Sequence, residues 1–180
     1  MKHLFYFIFL LTIFVFSNAQ IKVYKGNNSS IFNQIYTIQD GKIYQGNATS
    51  HFDCLYTIAE NGRIYKGNST SSFDCLYTFD GSRIYQGHST SIFNLLYTFN
   101  DNKLYKGNSK SFTDCIYTII TEEDNIKIYR GDSQSAFDCL YTFNNDRLYR
   151  GDTTTLVNCV AIFKNGAPES FMPYLLLDLF

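Results

Sequence analysis

The chain has 180 residues, with 15 Lys and Arg against 16 Asp and Glu, a formal net charge of −1. That balance gives no electrostatic basis for nucleic-acid binding. Aromatic residues make up 18 %, as 15 Tyr and 17 Phe with no Trp, which suits a β structure with a large aromatic core.

In chain order, residues 1–19 read as a secretory signal peptide. Lys2 and His3 make a weakly basic start, Leu4 to Phe16 is a continuous apolar run, and Ser17-Asn18-Ala19 places small residues for cleavage after Ala19. The alternative, an uncleaved anchor, is disfavoured because the run is shorter than a bilayer needs. The expected location is therefore secreted, periplasmic or cell-surface. No Cys follows the cleavage position to accept a lipid.

From residue 20 to residue 166 one sentence is written seven times. Its marker glycines are Gly26, Gly46, Gly67, Gly87, Gly107, Gly131 and Gly151, spaced by 20, 21, 20, 20, 24 and 20. A fixed period of this kind predicts stacked supersecondary units. Each unit holds a short strand signal, such as Arg63-Ile64-Tyr65-Lys66, and a longer one, such as Ser72 to Phe79. Turn residues bound both: Gly67-Asn68-Ser69-Thr70 on one side, Asp40-Gly41, Asn61-Gly62 or Asp80-Gly81 on the other. The expected fold is all-β: seven antiparallel hairpins of about twenty residues, joined in one continuous sheet of about fourteen strands that closes on itself.

Within the long strand, alternation puts Phe52, Cys54, Tyr56 and Ile58 on one face, expected to be the core. The inward aromatics are then Phe52, Tyr56, Phe73 and Tyr77. The face of the short-strand Tyr stays open, because one residue of register slip reverses it. Cys54, Cys75, Cys115, Cys139 and Cys159 occupy one column, with Gln34 and Leu95 in the other two units. Equivalent strands lie about 9–10 Å apart, too far for a disulfide or a thiolate metal site, so buried free thiols are expected.

After Gly166 the chain turns apolar. Pro173 is placed to start a short helix carrying Leu175, Leu176, Leu177, Leu179 and Phe180. The tail, residues 167–180, is read as a plug on one mouth of the barrel, or else as a membrane-touching or ligand-gating segment.

The candidate binding residues are a cation belt filled in every unit: Lys22, Lys42, Arg63, Arg83, Lys103, Lys127 and Arg147. Closed into a ring, such a belt can hold anionic ligands or lipid headgroups. Its bland alternative is pairing with Asp53, Asp74, Asp114 and Asp138. A second cation column holds Lys25, Lys66, Lys106, Arg130 and Arg150. No catalytic constellation or metal motif is present, since each candidate Asp or Cys recurs as a repeat column; no cofactor is implied.

The stretch Ile-Tyr-Lys-Gly-Asn-Ser-Thr-Ser-Ser-Phe-Asp-Cys-Leu-Tyr-Thr, residues 64–78, with the Pro-Tyr-Leu-Leu-Leu tail, resembles the β-flower repeat proteins of bacteria. The resemblance implies radial hairpins in a shallow barrel, without an established enzymatic activity. That shape is reminiscent of the tubby C-terminal domain, a phosphoinositide binder, which makes membrane lipid a fold-level analogy. Ala161, where the pattern has Tyr, and the long loop near Glu122 depart from it. A rival likeness, the hairpin solenoids of cell-wall-binding proteins, is Trp-rich, and Trp is absent here. The expectation is a secreted, non-enzymatic protein that binds a membrane surface or an apolar or anionic small ligand. The alternative is a carbohydrate-binding or adhesive surface protein.

Overall fold

The computed structural model describes residues 20–122 and 125–166. The expected signal peptide and the tail with its expected short helix lie outside the described residues. Seven short strands alternate with seven long ones. The short strands are β1 (Ile21–Lys25), β3 (Lys42–Gln45), β5 (Arg63–Lys66), β7 (Arg83–Gln86), β9 (Lys103–Lys106), β11 (Asn125–Arg130) and β13 (Arg147–Arg150). The long ones are β2 (Gln34–Gln39), β4 (Cys54–Ile58), β6 (Cys75–Phe79), β8 (Leu95–Asn100), β10 (Cys115–Thr121), β12 (Cys139–Asn144) and β14 (Cys159–Lys164).

All neighbours are antiparallel, and β1 pairs with β14 to close the barrel. Closure leaves no strand edge unpaired. The hairpin turns use residues that tolerate positive φ, as at Asp40 (50°) and Gly41 (70°). Gly62 is required for a second reason: a Cβ there would lie 2.3 Å from the Phe79 carbonyl oxygen.

The register fixes the size of the barrel. Tyr56 lies opposite Ile43 on one side and Lys66 on the other. Lys66 is two positions beyond the Ile of its own strand, so each hairpin climbs two residues. The same step recurs at Tyr36 between Val23 and Gln45, at Tyr77, Tyr97, Tyr117 and Tyr141, and at Ala161 between Leu148 and Lys25. Seven such steps give a shear equal to the number of strands. Equal shear and strand number corresponds to a tilt of about 36°. With strands about 4.8 Å apart, the backbone radius is about 13 Å. Equal steps also mean that the units are related by rotation about the axis, so equivalent residues lie at one height.

Side-chain alternation fails at one place in every unit, because each long strand carries a β-bulge. Tyr44 pairs with Cys54 and Ile43 with Tyr56, leaving Leu55 as the extra residue. Cys54 and Thr57 therefore share a face, with their Sγ and Oγ1 3.9 Å apart. Tyr56 and Ile58 take the other face. The sequence-based grouping of Cys54 with Tyr56 is corrected by this bulge.

The inner face carries Val23, Ile43, Ile64, Ile84, Leu104, Ile128 and Leu148, all 0–4 % exposed. They pack with Ile58, Phe99, Ile119 and Phe143, and Tyr77 and Tyr141 join the two halves of this apolar ring. The outer face carries the short-strand tyrosines and the Cys and Thr columns. Thr37, Thr57, Thr78, Thr98, Thr118 and Thr142 are buried there. Each donates its hydroxyl to the carbonyl of the next marker glycine, at 2.7–2.8 Å. In the seventh unit Ile162 replaces Thr, and the Cys159 thiol donates to Gly26 O instead.

The Gly-side connections lie on the outer face, since their first residues reach its lysines. Seven loops do not fit inside a lumen of about 13 Å backbone radius. This settles the open question of the short-strand tyrosines: they face outward, beneath the loops.

Candidate functional site

Each Gly-side loop ends in one 3₁₀ turn: Ile31–Asn33, His51–Asp53, Ser72–Asp74, Ile92–Asn94, Phe112–Asp114, Ala136–Asp138 and Leu156–Asn158. Local hydrogen bonds explain why. Ser50, Ser71, Ser91 and Ser135 accept from the backbone N–H two residues on, at Phe52, Phe73, Phe93 and Phe137. The hydroxyls of Ser69, Ser109 and Ser133 donate to Asp74, Asp114 and Asp138, each at 2.6 Å.

This turn overturns the expectation for the phenylalanines. Phe52 and Phe73 are not inward core residues. They stand 94 % and 98 % exposed on the turns, as do Phe32 (94 %), Phe93 (95 %) and Phe137 (100 %). Unit five carries Phe112 one position earlier, and unit seven carries Val157, 73 % and 87 % exposed. Rotation puts the turn-central residues at one height on the Gly-side rim. Adjacent ones are at least about 11 Å apart around a wall of about 13 Å radius. The ring is therefore a set of separate apolar tips, each held by a capped turn. Capping is visible in the sequence: Ser71-Ser72-Phe73-Asp74 is a Ser followed three residues on by an acid.

The cation belt lies on the outer face, beside the tyrosines. Its partners are not Asp53, Asp74, Asp114 and Asp138, as the pairing alternative held. Lys103 pairs with Asp132, and Lys127 with Asp152 at 2.8 Å. Each Asp is the residue after the marker glycine of the next unit. The bond from Asp132 raises the Lys103 pKa, and the bond from Asp152 raises that of Lys127. Arg147 has Asp146 at 3.7 Å, and Lys164 shares that carboxylate at 3.4 Å. The second cation column, Lys25, Lys66, Lys106, Arg130 and Arg150, is exposed at the Gly-side mouth.

The five cysteines are buried and free. Burial pushes the thiols of Cys54, Cys115, Cys139 and Cys159 upward, which makes them poor nucleophiles. Among the described residues no group of three or more His, Cys, Asp or Glu is placed to hold a metal ion. The apolar tail residues Leu175 to Phe180 lie outside the described residues.

A closed ring of identical hairpins with its decorated loops on one rim defines a radial β-repeat protein. The profile of the family described as 6-fold beta flower protein matches residues 12–123 and again 60–173, and the chain belongs to that family. Here the flower has seven hairpins. A comparison with curated proteins finds no match. A solved protein structure from Arabidopsis thaliana is similar at 13 % identity, over 94 % of this chain and 93 % of that one, with a TM-score of 0.44.

Proposed function

We propose that this is an exported, non-enzymatic binding protein that docks its Gly-side rim on a membrane surface. The observation that carries the reading is the ring of phenylalanines, 94–100 % exposed at Phe32, Phe52, Phe73, Phe93 and Phe137. A single exposed apolar side chain is ordinary, but five phenylalanines repeated at one position of the repeat form a patterned surface that a partner can meet at several points. Docking requires that these tips, at one height, project along the barrel axis and so meet a plane together. Their separation matches a fluid bilayer, which offers apolar volume at every point, better than a partner with a single pocket. Full burial of one Phe contributes about 1.5–3 kcal/mol, so several partly inserted tips suffice for reversible binding. The apolar side chains Leu175, Leu176, Leu177, Leu179 and Phe180 are assigned, on composition, to covering one mouth of the lumen.

The test is flotation with phosphatidylcholine vesicles. The mature protein should float, and the variant F52S/F73S/F93S/F137S should stay at the bottom while remaining folded. Equal flotation of the two would remove the reading. Glycan-array binding without vesicle binding would favour the adhesive alternative.

A further inference from the structure

We propose that three adjacent hairpins of the outer wall bind anionic groups, phosphate or carboxylate, each between the belt cation of one unit and the first loop residue of the next: Lys22 with Asn47, Lys42 with Asn68, and Arg63 with His88. This deepens the membrane reading and rests on it for the source of the anion, the headgroup of an acidic lipid.

The protein contains its own template for these sites. In two units a carboxylate sits on the belt cation: Asp132 on Lys103 and Asp152 on Lys127. Both follow a marker glycine. At the same place after Gly46, Gly67 and Gly87 stand Asn47, Asn68 and His88. The rotational equivalence of the units brings these residues to Lys22, Lys42 and Arg63. The cation is kept and its carboxylate is replaced by a neutral polar side chain. Among the described residues no ion pair forms at these three cations.

The remaining two belt cations have other company. Arg147 has Asp146 within 3.7 Å, and the charge of Arg83 is felt by Asp80. The three unpaired sites are thus consecutive on the ring. One detail sharpens the arc. The Nε of Arg63, like that of Arg147, is buried without a hydrogen-bond acceptor, and at Arg63 no carboxylate among the described residues stands nearby to compensate. A buried cationic donor left without an acceptor is costly, and an incoming anion relieves it.

Position links the sites to the rim. The loops that begin with Asn47, Asn68 and His88 are those that end in Phe52, Phe73 and Phe93. Each Phe tip lies five residues along the chain from that first residue, and the inferred arrangement sets the cation at headgroup depth when the tip enters the acyl boundary. In units six and seven the internal Asp already occupies the cation, so one side of the ring selects acidic lipid and the other does not.

The test compares neutral phosphatidylcholine vesicles with vesicles containing about one-third phosphatidylglycerol at low salt. Wild type should partition at least about tenfold better onto the acidic vesicles. The variant N47D/N68D/H88D copies the internal carboxylates of units six and seven. It should lose this gain while keeping neutral-vesicle binding and an undiminished melting temperature. K22Q/K42Q/R63Q should lose the gain as well. An excess of inorganic phosphate that abolishes the gain identifies a site satisfied by a free anion; persistence of the gain identifies a surface-bound headgroup array. Equal partition of wild type onto both vesicles, or a gain retained by the aspartate variant, overturns the proposal. If wild type binds neither vesicle, the membrane reading fails. A rise in melting temperature with inorganic phosphate, absent from the aspartate variant, then still supports the anion sites, and no rise overturns them.

Discussion

Thr118 shows what one residue of the repeat does. Its hydroxyl donates to Gly131 O at 2.8 Å, holding the start of a loop against the outer wall. Thr118→Val keeps the shape and leaves that carbonyl without its donor. Stability should fall by about 1 kcal/mol in denaturant titration, and Thr118→Ser should recover most of it. Asp80 gives a pH dependence. Burial alone would raise its pKa, but the N–H groups of Ser82 and Arg83, the Tyr85 hydroxyl and the Arg83 charge together hold it below the ordinary carboxylate value. A carboxyl depressed in the folded state adds stability that is present above the unfolded value of about 3.9 and is lost as pH falls through the folded one. Asp80→Asn should therefore destabilise at neutral pH and flatten the acid limb of the stability profile. An unchanged acid limb would assign that limb to other carboxylates.

At the scale of the element, the 3₁₀ turn separates display from packing. Phe73 is 98 % exposed, whereas Phe163 is 1 % exposed and meets Phe143 edge-on at 5.6 Å between centroids. Phe73→Ser should change stability by no more than about 0.5 kcal/mol, and Phe163→Ala should cost about 3–5 kcal/mol. Comparable losses for both would place Phe73 back in a core. The hairpin, its turns and the cation column were legible because they follow period and turn chemistry. The turn and the bulge were not. Ser72-Phe73-Asp74-Cys75 has the composition of a strand, and alternation carried through it assigns Phe73 inward. What decides otherwise is local: the Ser71 side chain captures the Phe73 N–H, and the bulge at Leu76 then resets which face each later residue joins. The belt cation was legible, but its partner was not, because Asp132 meets Lys103 only through the two-residue stagger between hairpins.

At the scale of the molecule, seven equal steps close the sheet and place every Gly-side loop on one rim. A lumen of about 13 Å backbone radius is wider than Ile and Tyr side chains fill from the wall alone. Deletion of 171–180, which removes Leu175, Leu176, Leu177, Leu179 and Phe180, should then raise binding of an apolar dye and lower stability. Intact stability with loss of vesicle binding would instead make the tail a membrane contact. The orientation on the membrane is the central claim, and the absence of Trp makes it directly readable. Phe73→Trp places a single indole on the Gly-side rim, and Glu60→Trp places one on the opposite rim. With phosphatidylcholine vesicles carrying brominated acyl chains, the account predicts a blue shift and quenching for the Trp at position 73 and neither for the Trp at position 60. Quenching at position 60, or an unshifted Trp at position 73 in protein that floats with the vesicles, would contradict it.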